Sequence, residues 1–133
     1  MRLIGLDDLW FGNLDVRAAL KGTSEREARI VLLHNPDYFD RLAPSGVDLV
    51  LSGHTHGGQI VLPLLGPPIL PSRFEGKYIS GLYDSPAPPD GGGAGAGPGR
   101  ARLYVNRGLG IGYIPARLGS RPEITCFTLR AGA

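Results

Sequence analysis

The sequence predicts an α/β fold organised around a parallel βαβ unit. Residues 28–33 and 47–52 are short, mostly apolar runs with β-branched side chains, which is how buried strands read. Pro36 suits the first turn of an intervening helix, and the crossover 35–46 is about a dozen residues, near the minimum for a parallel connection. Such a crossover is right-handed, so both strands end on one sheet edge, where open α/β sheets tend to place ligands. His34 closes the first run, and His54 follows the second by one glycine.

The elements can be justified in order. Residues 2–6 read as a short strand, followed by a loop through Asp7, Asp8, Trp10, Phe11, Gly12 and Asn13. Asp15 can cap a short helix through Val16, Ala18, Ala19 and Leu20 that stops at Gly22. After the strand 28–33, a helix is expected from Asp37 to about Leu42, with Tyr38, Phe39 and Leu42 facing inward, broken by Pro44, Ser45 and Gly46. The strand 47–52 stops at Gly53. Gln59 to Leu62 is expected to be a strand leaving the histidine region. The apolar run 61–71 is interrupted by prolines and fits neither a helix nor a central strand. Short strands are expected at 78–83, 102–106 and 123–130, the last covered on both faces with Cys126 buried in it. Residues 85–99 hold only Ser, Pro, Ala, Asp and Gly and are expected to form a low-complexity loop outside the core.

Composition excludes several classes. At 133 residues the chain is one domain at most. A net charge of +2, from 14 basic and 12 acidic side chains, is too balanced for a nucleic-acid module, so no nucleic-acid partner is expected. A hydrophobic content of 42% is too high for a disordered chain. One cysteine excludes an internal disulfide framework and a Cys-rich zinc ribbon. No run approaches the ~20 apolar residues that span a bilayer, and the first residues lack signal-peptide character.

The chemistry concentrates in the histidines. All 3 fall between His34 and His56, and two of them sit in Gly53-His54-Thr55-His56-Gly57-Gly58. In an extended segment, side chains two apart point the same way, so His54 and His56 can address one ion or two adjacent ions. Flanking glycines keep the approach open. Neutral imidazole suits zinc, manganese and iron.

Val47-Asp48-Leu49-Val50-Leu51-Ser52-Gly53-His54-Thr55-His56-Gly57-Gly58-Gln59 resembles the last metal motif of the calcineurin-like metallophosphoesterases. Leu33-His34-Asn35-Pro36-Asp37 resembles the preceding histidine motif of that family. The segments 3–10, 104–110 and 121–125 are similar to a bacterial, often membrane-associated branch. The resemblance implies a two-sheet α/β/β/α sandwich with flanking helices, two bridged divalent ions (Mn, Zn, Fe or similar) and phosphoester hydrolysis. It implies that His34 and His54 serve one metal and His56 the other. Asn35, Thr55 or a strand carbonyl are the candidates to fix the ring tautomers.

Departures from the family pattern are equally informative. The Asp-x-His, Gly-Asp and Asn-His segments, which supply the bridging aspartate and the leaving-group histidine, do not occur in this chain. No catalytic acid is therefore assigned, and the chain is expected to be the C-terminal portion of one domain, truncated at its N-terminus. Asp7-Asp8 is the only adjacent carboxylate pair and is read as a polar cap after the first strand. Three histidines alone suit one zinc with an open position, so this chain is expected to hold at most one ion, weakly. An unburied sheet face should leave it marginal or aggregation-prone. The alternative function is an inactive metal-binding or interaction fragment; a complementing N-terminal half on a separate chain is a further candidate partner.

Weaker signals complete the set. The run 61–71 is a candidate pocket wall for a lipid-like or nucleotide-linked phosphoester, or a contact with a membrane surface. Asn35 and Arg107 are candidate substrate-binding residues, the arginine through bidentate phosphate contact. Compartment, membrane-associated or cytoplasmic, is left open.

Overall fold

The computed structural model describes residues 1–24, 26–72, 76–85 and 101–130. It contains β1 (Arg2–Gly5), α1 (Val16–Leu20), β2 (Arg29–Leu32), α2 (Phe39–Leu42), β3 (Leu49–Ser52), β4 (Gly81–Asp84) and β5 (Arg102–Val105). These strands make one five-stranded sheet in the order β1-β2-β3-β5-β4. β1, β2, β3 and β5 run parallel, and β4 closes the edge antiparallel to β5. The α/β class and the parallel β2–β3 pairing are as expected from sequence.

Local chemistry explains the elements. Asp15 caps α1 by accepting the Ala18 N–H at 2.9 Å. Asn35 does the same for the turn before α2, accepting the Asp37 N–H at 2.9 Å with Pro36 in the first helical position. The expected single helix over 37–42 is a composite. A 3-10 turn at Pro36–Tyr38 leads into α2, and a second at Ala43–Ser45 ends at Gly46, whose φ of 77° suits glycine. The prolines at both ends keep the α-helical part to about one turn.

Register explains the core. Ile4, Val31, Val50 and Leu103 lie side by side across four parallel strands. On that face Val31, Val50 and Leu103 are fully buried, under Phe39, Leu42, Val47 and Tyr78. The opposite face carries the row Leu32, Leu51, Tyr104 and Leu82, with Leu3 beside it. Here Leu32 is 42%, Leu82 58% and Leu3 65% exposed. The sheet thus has one covered face and one largely apolar face that is partly open.

Three expectations are corrected. Gln59–Leu62 makes only isolated bridges, Ile60 to Leu118 and Gly119 and Leu62 to Gly66, because the chain turns back at once through 62–66. The strand expected at 78–83 begins later, at Gly81, since Tyr78 is used in the core and Ile79 is held by Thr55. Residues 123–130 form no strand: both edges of neighbouring β5 are already taken by β3 and β4. That segment instead lies on the open face through side chains. Thr125 Oγ1 and Asn106 Nδ2 are 2.9 Å apart, and the Phe127 ring meets Tyr104 edge-on at 5.0 Å. Cys126 is consequently exposed rather than buried, and Ile124 is 83% exposed. The expected loop at 85–99 lies outside the described residues apart from Ser85. Among the described residues, no helix is long and apolar enough to cross a membrane.

Candidate metal centre

The parallel ladder runs on past the strand ends and sets the site. Leu33 N–H donates to Leu51 O at 3.1 Å, and Gly53 N–H donates to His34 O at 3.1 Å. His34 is therefore carried beside His54 although 20 positions separate them, and His34 Nε2 lies 3.2 Å from His54 Nδ1. The two rings meet nearly perpendicular, centroids 5.0 Å apart.

Downstream, the backbone departs from the extended form expected for the His-x-His pair. Thr55 N–H donates back to Gly53 O at 2.7 Å, a three-residue turn centred on His54 with φ of 67°. His56 at φ 52° and Gln59 at φ 50° are also left-handed, around Gly57 and Gly58. Non-glycine residues in such conformations are strained, and they concentrate at functional sites. The correction has a physical cause: His54 and His56 share a cavity because the chain coils, not because they alternate on a strand.

Gly57 and Gly58 are required where they stand. A Cβ on Gly57 would lie 2.5 Å from Arg107 Cγ and 2.6 Å from Ser120 Oγ; one on Gly58 would lie 2.7 Å from Pro67 Cβ. Ser120 in turn donates to His56 O at 2.7 Å, and the buried Thr55 hydroxyl donates to Ile79 O at 2.6 Å. The histidine turn is thus fastened to 78–80, 107 and 120.

The cavity above the histidines is about 680 Å³. His34, His54, His56 and Asp8 give it a polar side, and Trp10, Ile69, Leu70, Tyr113 and Ile114 give it apolar walls. Of the run 61–71, only residues 68–71 line this cavity. Trp10 packs edge-on against His54 with centroids 4.5 Å apart. It is held there because Asp8 accepts the Trp10 and Phe11 N–H groups at 2.7 and 2.8 Å, while Asp7 accepts those of Asp8 and Asn13 at 2.8 Å. The Asp7-Asp8 pair is therefore a loop cap, as read from sequence. These backbone N–H groups hold both carboxyls below the usual carboxylate range.

Burial, and after it the charge of His34, holds His54 below the ordinary imidazole pKa. The nearby Pro71 carbonyl, short of a formed hydrogen bond, and the Asp37 and Asp8 carboxylates offset this only in part. The direction favours the neutral form, in which imidazole ligates metals.

The donor set can be tested against a metal ion. Two nitrogens on one tetrahedral zinc at about 2.0–2.1 Å stand roughly 3.3 Å apart; His34 Nε2 and His54 Nδ1 are 3.2 Å apart. His54 Nε2 and His56 Nδ1 are buried with no hydrogen-bond partner, and His54 Nε2 lies across the ring from the Nδ1 that faces His34, so one ion does not use both. The residues fit an ion as a partial site. Among the described residues, no three His, Cys, Asp or Glu side chains close around one point.

Two other expected site residues are placed elsewhere. Asn35 is 1% exposed and its side-chain oxygen is taken up in capping. Arg107 does not line the cavity; its guanidinium pairs with Glu123, which also accepts from the Tyr104 hydroxyl. Neither Asn35 nor Thr55 makes a hydrogen bond to an imidazole nitrogen among the described contacts. Trp10 and Gln59 are the site residues whose roles the sequence did not disclose. The one signal for Trp10 was its being the only tryptophan, in the loop after a strand that ends near the histidines.

No protein-family model and no solved structure matches the chain. Curated relatives do match. The chain is 40% identical over 131 residues to the uncharacterized metallophosphoesterase YkuE of Bacillus subtilis, covering 98% of this chain and 41% of that protein. It is 35% identical over 127 residues to the phosphodiesterase YaeI of Escherichia coli, covering 96% and 40%. It is 37% identical over 124 residues to the UDP-2,3-diacylglucosamine pyrophosphatase LpxG of Chlamydia trachomatis, covering 93% and 36%. The chain spans about two fifths of the length of these relatives.

Proposed function

We propose, on the premise that this chain belongs to the calcineurin-like metallophosphoesterase family and covers the C-terminal portion of its members, that it provides part of a metal-dependent phosphoester hydrolase. His34, His54 and His56 are the metal ligands it contributes, within one domain whose remaining ligands come from outside residues 1–133. The observation that carries this is the 3.2 Å approach of His34 Nε2 and His54 Nδ1 at the paired strand ends, with His56 lining the same cavity.

When bound, divalent ions in such a site supply Lewis-acid charge against a phosphoryl group; Mn, Zn and Fe all suit imidazole. The chain's own residues do the positioning. The β2–β3 ladder aligns His34 with His54, Trp10 limits the swing of the His54 ring, and Ser120 anchors the His56 backbone. The apolar walls leave room beside the imidazoles for the organic part of a phosphoester. A binuclear centre in the complete domain is the arrangement we infer, with at most one weakly held ion in this chain by itself.

The test is hydrolysis of phosphomonoesters and phosphodiesters by the whole polypeptide containing this chain, with Mn or Zn supplied, against His54→Ala. A loss of at least about a hundredfold is expected for a ligand of this kind. Equal rates would remove the assignment.

A further inference from the structure

Gln59 occupies a backbone conformation that its side chain alone does not require. At φ 50° and ψ −54° it is the centre of a three-residue turn, with Ile60 N–H donating to Gly58 O at 2.5 Å. This left-handed form of the γ-turn is rare and strained. From this turn the side-chain amide reaches residues 112–116, where both of its N–H groups are used. Nε2 donates to Ile114 O at 2.6 Å and Ala116 O at 3.0 Å, and Oε1 accepts the Gly112 N–H at 2.6 Å. The backbone adds Leu118 N–H to Gln59 O at 3.0 Å.

Those bonds hold the segment that carries Tyr113 and Ile114, the outer apolar wall of the cavity. Arg117 fixes the base of the same loop through the carbonyls of Arg107, Gly110 and Ser120. Gln59 fixes its tip. It is thus the one side chain joining the histidine turn to the far wall among the described hydrogen bonds.

We propose that Gln59 is a positioning residue that sets this wall, and through it selects phosphoesters bearing an apolar alkyl or acyl group over those with a small polar one. The proposal rests on the phosphoesterase reading above. Beside the imidazoles the cavity is lined by Ile69, Leu70, Tyr113 and Ile114, so an apolar substituent on a phosphoester held there would gain from burial against them, which a small one would not. Gln59→Met keeps side-chain length and removes all the amide bonds, so the wall loses its fixed distance from the histidines.

The experiment uses the whole polypeptide with its metal loaded. Calorimetric binding of methylphosphonate and octylphosphonate gives a chain-length selectivity that needs no turnover, and hydrolysis of methyl and octyl p-nitrophenyl phosphate is measured in parallel. The wild type is expected to favour the octyl compound by at least about tenfold, the scale of a few apolar contacts in a pocket. Gln59→Met is expected to bring that ratio to within about threefold while metal content stays near wild type. Ile114→Ala keeps the backbone carbonyl that Gln59 holds and is expected to lower the ratio as well, which covers the case of a misfolded Gln59 variant. An unchanged ratio in both variants, or equal loss for both ligands, overturns the role of Gln59 even with hydrolysis intact. No hydrolysis by the wild type overturns the phosphoesterase reading and this proposal with it.

Discussion

Replacing Gly57 by alanine probes the part of the structure that shapes the histidine turn. The perturbation has a built-in control, because Gly57 (φ 62°) and Gly108 (φ 66°) share a backbone conformation but not surroundings. A Cβ at Gly108 meets nothing within 4 Å, whereas one at Gly57 falls 2.5 Å from Arg107 Cγ and 2.6 Å from Ser120 Oγ. Both alanines bear the left-handed backbone cost of about 1–2 kcal/mol. Only Gly57→Ala adds overpacking, about 1–3 kcal/mol, and displaces the Ser120 hydroxyl from His56 O, about 1 kcal/mol more. The expected totals are roughly 3–6 kcal/mol for Gly57→Ala and about 1–2 kcal/mol for Gly108→Ala. In thermal unfolding the difference of about 2–4 kcal/mol corresponds to roughly 6–16 °C in Tm. Because the clash falls on the His56 anchor, metal affinity should drop in Gly57→Ala and not in Gly108→Ala. Equal Tm shifts in the two variants would refute the claim that close packing of 107 and 120 shapes this turn.

Two further outcomes follow from the same packing. Glu123 is pushed up by burial but pulled further down by hydrogen bonds from Tyr104, Arg107 and Thr125, so its folded pKa lies below the ordinary value. A depressed carboxyl stabilises above its unfolded pKa, and that contribution is lost as pH falls through the folded one. Glu123→Gln should therefore lower stability at pH 7 by about 1–2 kcal/mol and flatten acid unfolding below pH ~4.5; urea midpoints across pH check both. The open sheet face predicts that residues 1–133 alone self-associate with rising concentration, and that Leu32→Lys with Leu82→Lys reduces this in size-exclusion chromatography. A monodisperse wild-type monomer with one cooperative transition contradicts that expectation.

The β2–α2–β3 core was legible because its signals are local: two apolar runs, a proline at a helix start, and a crossover too short for anything but adjacent strands. The His34–His54 pair followed from that, since a parallel register alone brings the strand ends together. What sequence alternation could not convey was pairing. Residues 123–130 alternate like a strand, yet each edge of β5 is occupied, so side chains lay them on the sheet face instead. The coiling of 53–59 was hidden for a different reason. Left-handed conformations at His54, His56 and Gln59 arise from tertiary anchors, the Ser120, Ile79 and Ile114 contacts, that lie 24 to 64 positions away. Arg107 and Asn35 looked available in sequence because their partners, Glu123 and the Asp37 N–H, become visible only in the fold.

Metal binding read at Trp10 tests the imidazole cluster most directly. The chain holds 1 tryptophan, and its ring lies 4.5 Å from that of His54. Titrating residues 1–133 with zinc should change Trp10 emission saturably, with a stoichiometry no greater than one ion. His54→Ala and His34→Ala should each weaken the apparent affinity by at least about tenfold. Emission that does not respond to zinc, or that responds in both variants as it does in the wild type, would mean that the paired histidines are not ligands.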